Sequence, residues 1–275
     1  MIYLRDNISR IEKLLSDNSI SSTTYAALEA RLALERVCYD RLQISHDYIS
    51  HDEIKKWQPK DVVQKLIQEV DESVASEFTL FISKEPAEDR EMTREEYENL
   101  EFIPVGTQSG FSPRKIGSLW NALSRLALHV HLPDSKDKSV SEYGDNDEIR
   151  KKISEVIVEL NRISSGNLIS SGLGPEVHFT CECGQANKRR QRFLSAGKIL
   201  HCINPNCNET YTVEMDGDEF LFARRFVDIK CKCGRDLKMQ KKTILSIGHD
   251  QYGKIICDAC ERDIYVEWRL VQIQR

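Results

Sequence analysis

CECGQANKRRQRF, residues 181–193, decides how the rest of the chain is read. Two cysteines stand one residue apart, a glycine follows, and a burst of positive charge comes next. The stretch is either a metal staple or one edge of a nucleic-acid surface, and recurrence discriminates between them. It recurs: VHFTCECG at 177–184 is matched by VDIKCKCG at 227–234, and CNETYTVE at 207–214 by CERDIYVE at 260–267. A period near 50 residues with matching flanks is an internal duplication.

Eight of the nine cysteines belong to it, in four close pairs: Cys181/Cys183, Cys202/Cys207, Cys231/Cys233 and Cys257/Cys260. Each copy opens with C-x-C-G and closes with a second pair, C-x4-C in the first copy and C-x2-C in the second. Two tight turns, each offering two thiolates, make a tetrahedral cage of four sulfurs when a β-hairpin brings them together. Gly184 and Gly234 supply the positive φ such a turn needs. A unit of this size has too small a core to fold alone, so the metal is expected to supply much of its stability. The pattern therefore predicts two zinc ribbons, each holding one structural Zn2+ ion. Disulfides are the alternative. Cysteines one residue apart pair poorly with each other, and a cytoplasmic chain disfavours the bond. His178, His201 and His249 lie nearby, but both quartets are complete without them.

Around the cysteines the sequence alternates as strands do, in VHFT, KILHC, YTVE, FLFARRF, KTILSI, KIIC and YVEWRLVQI. Both copies place cations after the first pair: Lys188, Arg189, Arg190 and Arg192 in one, Lys238, Lys241 and Lys242 in the other. These are the candidate nucleic-acid-binding residues, a phosphate-binding edge. A solvated strand guarded by charge against edge pairing is the competing reading.

Charge is divided unevenly. Residues 1–175 carry 22 Lys and Arg against 30 Asp and Glu, and residues 176–275 carry 17 against 14. Two four-thiolate zinc sites would each add roughly −2 and cancel the C-terminal excess, so only local patches could attract nucleic acid. MIYLRDNISRIEKLL mixes acid and base among its apolar residues, unlike a signal peptide or a membrane span, and a cytoplasmic location is expected. No Walker loop, GxGxxG, GxSxG or HExxH occurs.

The N-terminal half predicts helices over 6–17, 23–43, 59–70, 93–100, 112–131 and 147–163, with one short strand, FTLFIS, at 78–83. The second helix has Tyr25, Leu28, Leu32 and Cys38 on its expected apolar stripe. Thr93 and Glu96 form a capping box. VGTQSGF (105–111) reads as a loop, and SSGNLISSGLG (164–174) as a flexible Ser/Gly linker. The expected class is α+β: an N-terminal all-α bundle over 1–165, a linker at 166–175, and a C-terminal β-rich domain of two ribbons, 176–226 and 227–275.

EARLALERVCYDRL resembles the first long helix of HEPN domains, small all-α bundles, and SLWNALSRLALHVHLP is similar to their late helix. The resemblance covers roughly 20–165. It implies a homodimer through the helical bundle and, in many members, metal-independent endoribonuclease activity from an Arg and a later His with four to six residues between them. Carried over, Arg125 and His131 fit that spacing, with His129 nearby; Leu126 stands where the family often has a polar residue. Under this resemblance the chain would be an RNA-directed protein of bacterial antiviral-defence or toxin type, its ribbons binding a target or partner. The alternative is a non-catalytic adaptor that dimerises through its helices and docks onto a protein or nucleic acid.

Overall fold

The longest helix, α2 (Ile20–Ser45), is built from strong helix formers. Ser19 fixes its start, its hydroxyl accepting the Ser22 amide at 3.1 Å. In the computed structural model, which describes residues 2–54, 58–86, 92–130, 135, 136, 140, 143–170 and 172–269, this helix packs against four others. They are α1 (Ile2–Ser16), α3 (Pro59–Glu69), α5 (Pro113–Ala127) and α6 (Asn146–Ser164). Its buried face is Ala26, Ala30, Ala33, Leu34, Val37 and Cys38. Small side chains let neighbouring helices approach closely. This corrects the expected stripe: Tyr25 is 62% exposed and Leu32 44%. The larger residues lie outside because alanines occupy the crowded face. Cys38 is core, and burial pushes its thiol up to about 12, an unreactive setting. Leu4 and Ile11 of α1, Val63 and Leu66 of α3, Ile116 and Leu123 of α5, and Ile153, Val156 and Leu160 of α6 complete the core.

The N-terminal half is not all-α. Strand β1 (Phe78–Ser83) pairs antiparallel with β2 (Phe102–Gln108), with a register shift between Leu80 and Phe81. The stretch expected to be a loop at 105–111 is thus strand up to Gln108. The short helix α4 (Arg94–Glu98) lies between these strands in sequence, started by the expected capping box of Thr93 and Glu96. The first part of the expected linker is also ordered. The Asn167 and Leu168 amides donate to the Thr107 carbonyl at 3.0 and 3.1 Å, and Asn167 Oδ1 accepts the Thr107 amide at 2.8 Å. Gly166 permits this approach, because a Cβ there would stand 2.7 Å from the Ser109 nitrogen. Composition alone reads as flexibility what is a laid-down segment.

Contacts divide the chain into two units, one of Met1–His46 with Lys56–Leu173, the other of Asp47–Lys55 with Gly174–Arg275. The second is built of small antiparallel sheets. A hairpin of β3 (Glu176–Thr180) and β4 (Ala186–Arg190) precedes a three-stranded sheet of β5 (Ile199–His201), β6 (Thr210–Asp216) and β7 (Glu219–Arg224). A second hairpin, β8 (Phe226–Lys230) with β9 (Asp236–Gln240), precedes the pair β10 (Gly253–Ile256) and β11 (Asp263–Val266). KTILSI, expected as strand, instead begins with a single helical turn, α7 (Lys241–Leu245). The chain reverses there after β9, and the Trp268 indole donates to the Ile244 carbonyl at 2.9 Å.

The segment Asp47–Lys55, far away in sequence, completes this unit. The Tyr48 hydroxyl donates to Glu176 Oε1 at 2.5 Å. Its ring lies 4.4 Å from Lys188 Nζ and 4.6 Å from the Arg190 guanidinium. Asp52 pairs with Lys242, and Glu53 stands 3.7 Å from Arg189.

Candidate metal centres

Each C-x-C-G closes its hairpin in the same way. In the first, the Cys181 amide donates to the Gln185 carbonyl at 2.9 Å and the Gly184 amide to the Cys181 carbonyl at 2.8 Å. In the second, Cys231 and Gly234 repeat both bonds at 2.9 Å. Gly184 and Gly234 have φ of +83° and +92°, a region in which a side chain is strained. Both sulfurs of each turn therefore project to one side.

The second cysteine pairs meet them. Cys181 Sγ lies 3.7 Å from Cys207 Sγ, and Cys183 from Cys202 at the same distance. In the second site, Cys231 and Cys260 are 3.6 Å apart and Cys233 and Cys257 3.7 Å. All four sulfurs of each group lie within 4.8 Å of one another. Sulfurs placed tetrahedrally at about 2.3 Å from one zinc ion would be about 3.8 Å apart, whereas disulfide sulfurs bond at about 2.05 Å. The spacing fits a metal at each site, and no histidine among the described residues joins either group.

The two sites differ in what surrounds them. In the first, the Asn187 and Asn204 side-chain amides face Cys202 and Cys183 sulfurs at 3.9 and 3.8 Å, and the Glu209 amide donates to Cys207 Sγ at 3.4 Å. Such donors offset thiolate charge and orient the ligands. Phe179 packs edge-on to Tyr211 at 5.1 Å and stacks on Phe222 at 4.4 Å, forming an aromatic wall against the cysteines. The second site has Cys233 and Cys260 exposed. Asn187 is buried and also accepts the Ile203 amide at 2.9 Å; its counterpart after the second C-x-C-G is Leu237. The Asn187→Leu change is expected to leave the Ile203 amide unpaired and to weaken metal retention at the first site about 10- to 100-fold. Competition with a chromophoric chelator reads this directly; unchanged retention would remove Asn187 from the site.

The basic run after Cys183 is largely engaged within its own unit. Arg189 and Arg190 are buried. Arg189 donates to the His201 carbonyl at 2.9 Å. Arg190 donates to the Gly174 carbonyl at 2.9 Å and pairs with Glu176 at 2.8 Å. Lys188 is 3.4 Å from Asp47, and Lys242 pairs with Asp52. Lys238 lies over Phe226 at 4.1 Å and Arg192 over Phe193 at 5.0 Å. Lys241 is exposed. A charge run alone cannot reveal this, because the carboxylates facing Lys188, Arg189 and Lys242 arrive from residues 47–53, over a hundred positions earlier.

In the helical unit, Arg125 occupies the last turn of α5 and His129 follows its end. Both are exposed and line an open depression of about 360 Å3 together with Asn121, Ser124 and Val130. His131 lies outside the described residues. No helix among the described residues is long and apolar enough to cross a membrane. No family model matches the chain, and no curated protein or solved structure matches it either.

Proposed function

We propose that the chain is an RNA-directed protein whose helical unit is a HEPN-like endoribonuclease and whose two ribbons each hold a structural zinc ion. One observation carries the catalytic part: Arg125 and His129 share one open depression with the polar Asn121 and Ser124. A guanidinium and an imidazole side by side supply what phosphodiester transesterification needs. His129 would take the proton of a ribose 2′-hydroxyl as its oxygen attacks phosphorus. Arg125 would stabilise the charge gathering on the phosphoryl oxygens, and the 5′-oxygen would leave protonated by solvent, giving a 2′,3′-cyclic phosphate. His131, the histidine at the spacing the resemblance favours, is the second candidate for the proton transfer. The four-sulfur spacing supports the zinc reading.

The test is cleavage of single-stranded RNA by the purified chain in buffer containing EDTA under conditions that spare the folded ribbons. Wild type is compared with Arg125→Ala, His129→Ala and His131→Ala. Cleavage to a cyclic phosphate, reduced at least about 100-fold by Arg125→Ala and by one histidine change, is the expected result. Cleavage unaltered by all three changes, or none by wild type, would remove the nuclease reading.

A specific observation favours a second reading, the non-catalytic adaptor. Lys188, Arg190 and Lys242 of the ribbon unit are matched by Asp47, Glu176 and Asp52, so its basic run is close to neutral. Under this reading the metals stabilise a platform for a partner, and the wild-type chain cleaves no RNA.

A further inference from the structure

Helix α5 carries three cations, Arg114, Lys115 and Arg125, and no acid, in a half of the chain where carboxylates outnumber cations. Arg114, Ser118, Asn121 and Arg125 are all exposed. They share one face, because the step from 114 to 125 is about three helical turns. Gly117 is buried at the margin of that face. A Cβ there would stand 2.7 Å from Lys60 Cδ, so the missing side chain lets the Lys60 stem of α3 lie against α5. A third cation thus joins the row, between Arg114 and Asn121. Among the described residues Arg114, Lys60 and Arg125 have no hydrogen-bond or ion-pair partner. The contrast with the rest of the unit is sharp: Arg10, Arg31, Arg36, Arg94 and Arg162 each face a carboxylate. Lys115, beside the row, is held by Glu159 at 2.6 Å.

We infer that this face of α5 is a track for the backbone of single-stranded RNA, with Arg114 and Lys60 holding phosphates to one side of the phosphodiester that lies at Arg125 and His129. Charge selects the occupant. Arg114 and Arg125 stand about 16 Å apart along the helix axis, with the neutral hydrogen-bonding Ser118 and Asn121 between them. A lone anion would need only the depression at one end of this row, whereas a chain of evenly spaced anions uses all of it. The face offers no exposed aromatic ring, since Trp120 of α5 is buried. Contacts are therefore to phosphate and sugar, which set position and register and carry no sequence information. The inference rests on the nuclease reading for its substrate and adds to it two positioning residues, Arg114 and Lys60, that do not touch the reacting atoms.

The full chain is titrated, at several salt concentrations, with a fluorescent RNA of about 12 nucleotides. Its 2′-oxygens are methylated, so it binds but cannot be cut. Arg114→Gln and Lys60→Gln are each expected to weaken binding about 10-fold. Each should also flatten the fall of log K with log salt by about 0.7, a change that a merely structural role would not produce. Arg5→Gln removes an exposed cation from α1 and is expected to alter neither quantity. Circular dichroism should be the same in all four proteins. No binding by wild type overturns the inference. So do binding and salt slope unchanged in both track variants, an equal loss in Arg5→Gln, or tighter binding of polyglutamate than of RNA, which would make the face a dock for acidic protein. The nuclease reading fails separately. The slope changes without cleavage of unmethylated RNA leave the track standing and remove the nuclease; cleavage without the slope changes does the reverse.

Discussion

Removing metal from both four-cysteine sites is expected to unfold the ribbon unit and leave the helices standing. The reasoning starts from size. Each ribbon offers few buried apolar residues: around the first site they are Leu200, Ile203, Tyr211 and Val213, with Phe179 and Phe222 partly buried. Such a core stabilises by only a few kcal/mol at most, whereas a tetrathiolate zinc site contributes about 10–16 kcal/mol of apparent binding energy that is folding energy. Without the ion, four thiols packed within 4.8 Å of one another lose the interaction that gathered them. Loss should proceed in two steps. The second site goes first, since two of its cysteines, Cys233 and Cys260, are exposed against one, Cys183, in the first, and among the described residues no asparagine faces its sulfurs as Asn187 and Asn204 face those of the first. Metal release followed with a chromophoric chelator should be biphasic, one ion per phase. Far-ultraviolet circular dichroism should retain the helical signal throughout. Metal analysis returning far fewer than two ions per chain would sink the reading, as would ribbons that stay folded after both ions are gone.

The second large effect lies in the helical unit, at Arg41. This side chain is 2% exposed. Its Nη1 donates to Gln108 Oε1 at 2.6 Å and its Nη2 to the Ser109 carbonyl at 2.9 Å, with the Phe111 ring 5.7 Å away. Gln108 is itself fully buried and passes the network on, donating to the Ser73 and Ser76 carbonyls and accepting the Ser170 amide. Arg41 therefore ties α2 to the end of β2 and, through Gln108, to the start of the next segment. Arg41→Ala leaves a void, takes the side-chain donor from the Ser109 carbonyl and leaves Gln108 Oε1 with the Ser170 amide alone. The expected loss is about 3–5 kcal/mol, which for a unit of this size lowers the melting temperature by roughly 10 °C. Burial holds the guanidinium down to about 10, still protonated at neutral pH. Its folded-state value is below the unfolded one, so the pH-dependent part of its contribution changes only as pH rises through about 10, and the loss should be flat from pH 6 to 8. Thermal melts of wild type and variant across that range check both statements; a loss below about 1 kcal/mol would show the network to be incidental.

The metal centres were the most legible part of the sequence, because ligand spacing is chemistry written directly in residue order. The duplication, the paired cysteines and the two glycines locate both sites without reference to anything distant. Helices with clear caps, such as those begun at Ser112 and Thr93, were legible for the same local reason. The rest depends on what meets what across the chain. Which face of α2 is buried depends on four helices crowding against it, and periodicity could not choose alanines over Tyr25 and Leu32. The strand at 102–108 was hidden by Gly106 and Ser109, whose turn-like composition masks a backbone that pairs with β1. The basic run looked free because Asp47, Asp52 and Glu53 lie so far upstream. His131 fitted the Arg125 spacing on paper, while the depression that is described belongs to His129.

One feature of the second unit bears on how the protein is made. Residues 47–55 leave the ribosome about 120 residues before the strands they join. At roughly 5–20 residues per second, Tyr48 and its neighbouring acids wait some 6–25 s for β3 and β4 to emerge. The ribbon unit therefore cannot be finished as its own segment is translated; it must reach back and collect a piece delivered earlier. An expression fragment cut at residue 174, the place composition recommends, would lack that piece and take Asp47, Glu53 and Asp52 away from Lys188, Arg189 and Lys242. A circular permutant that joins 47–55 to the ribbons in sequence would supply it without the delay.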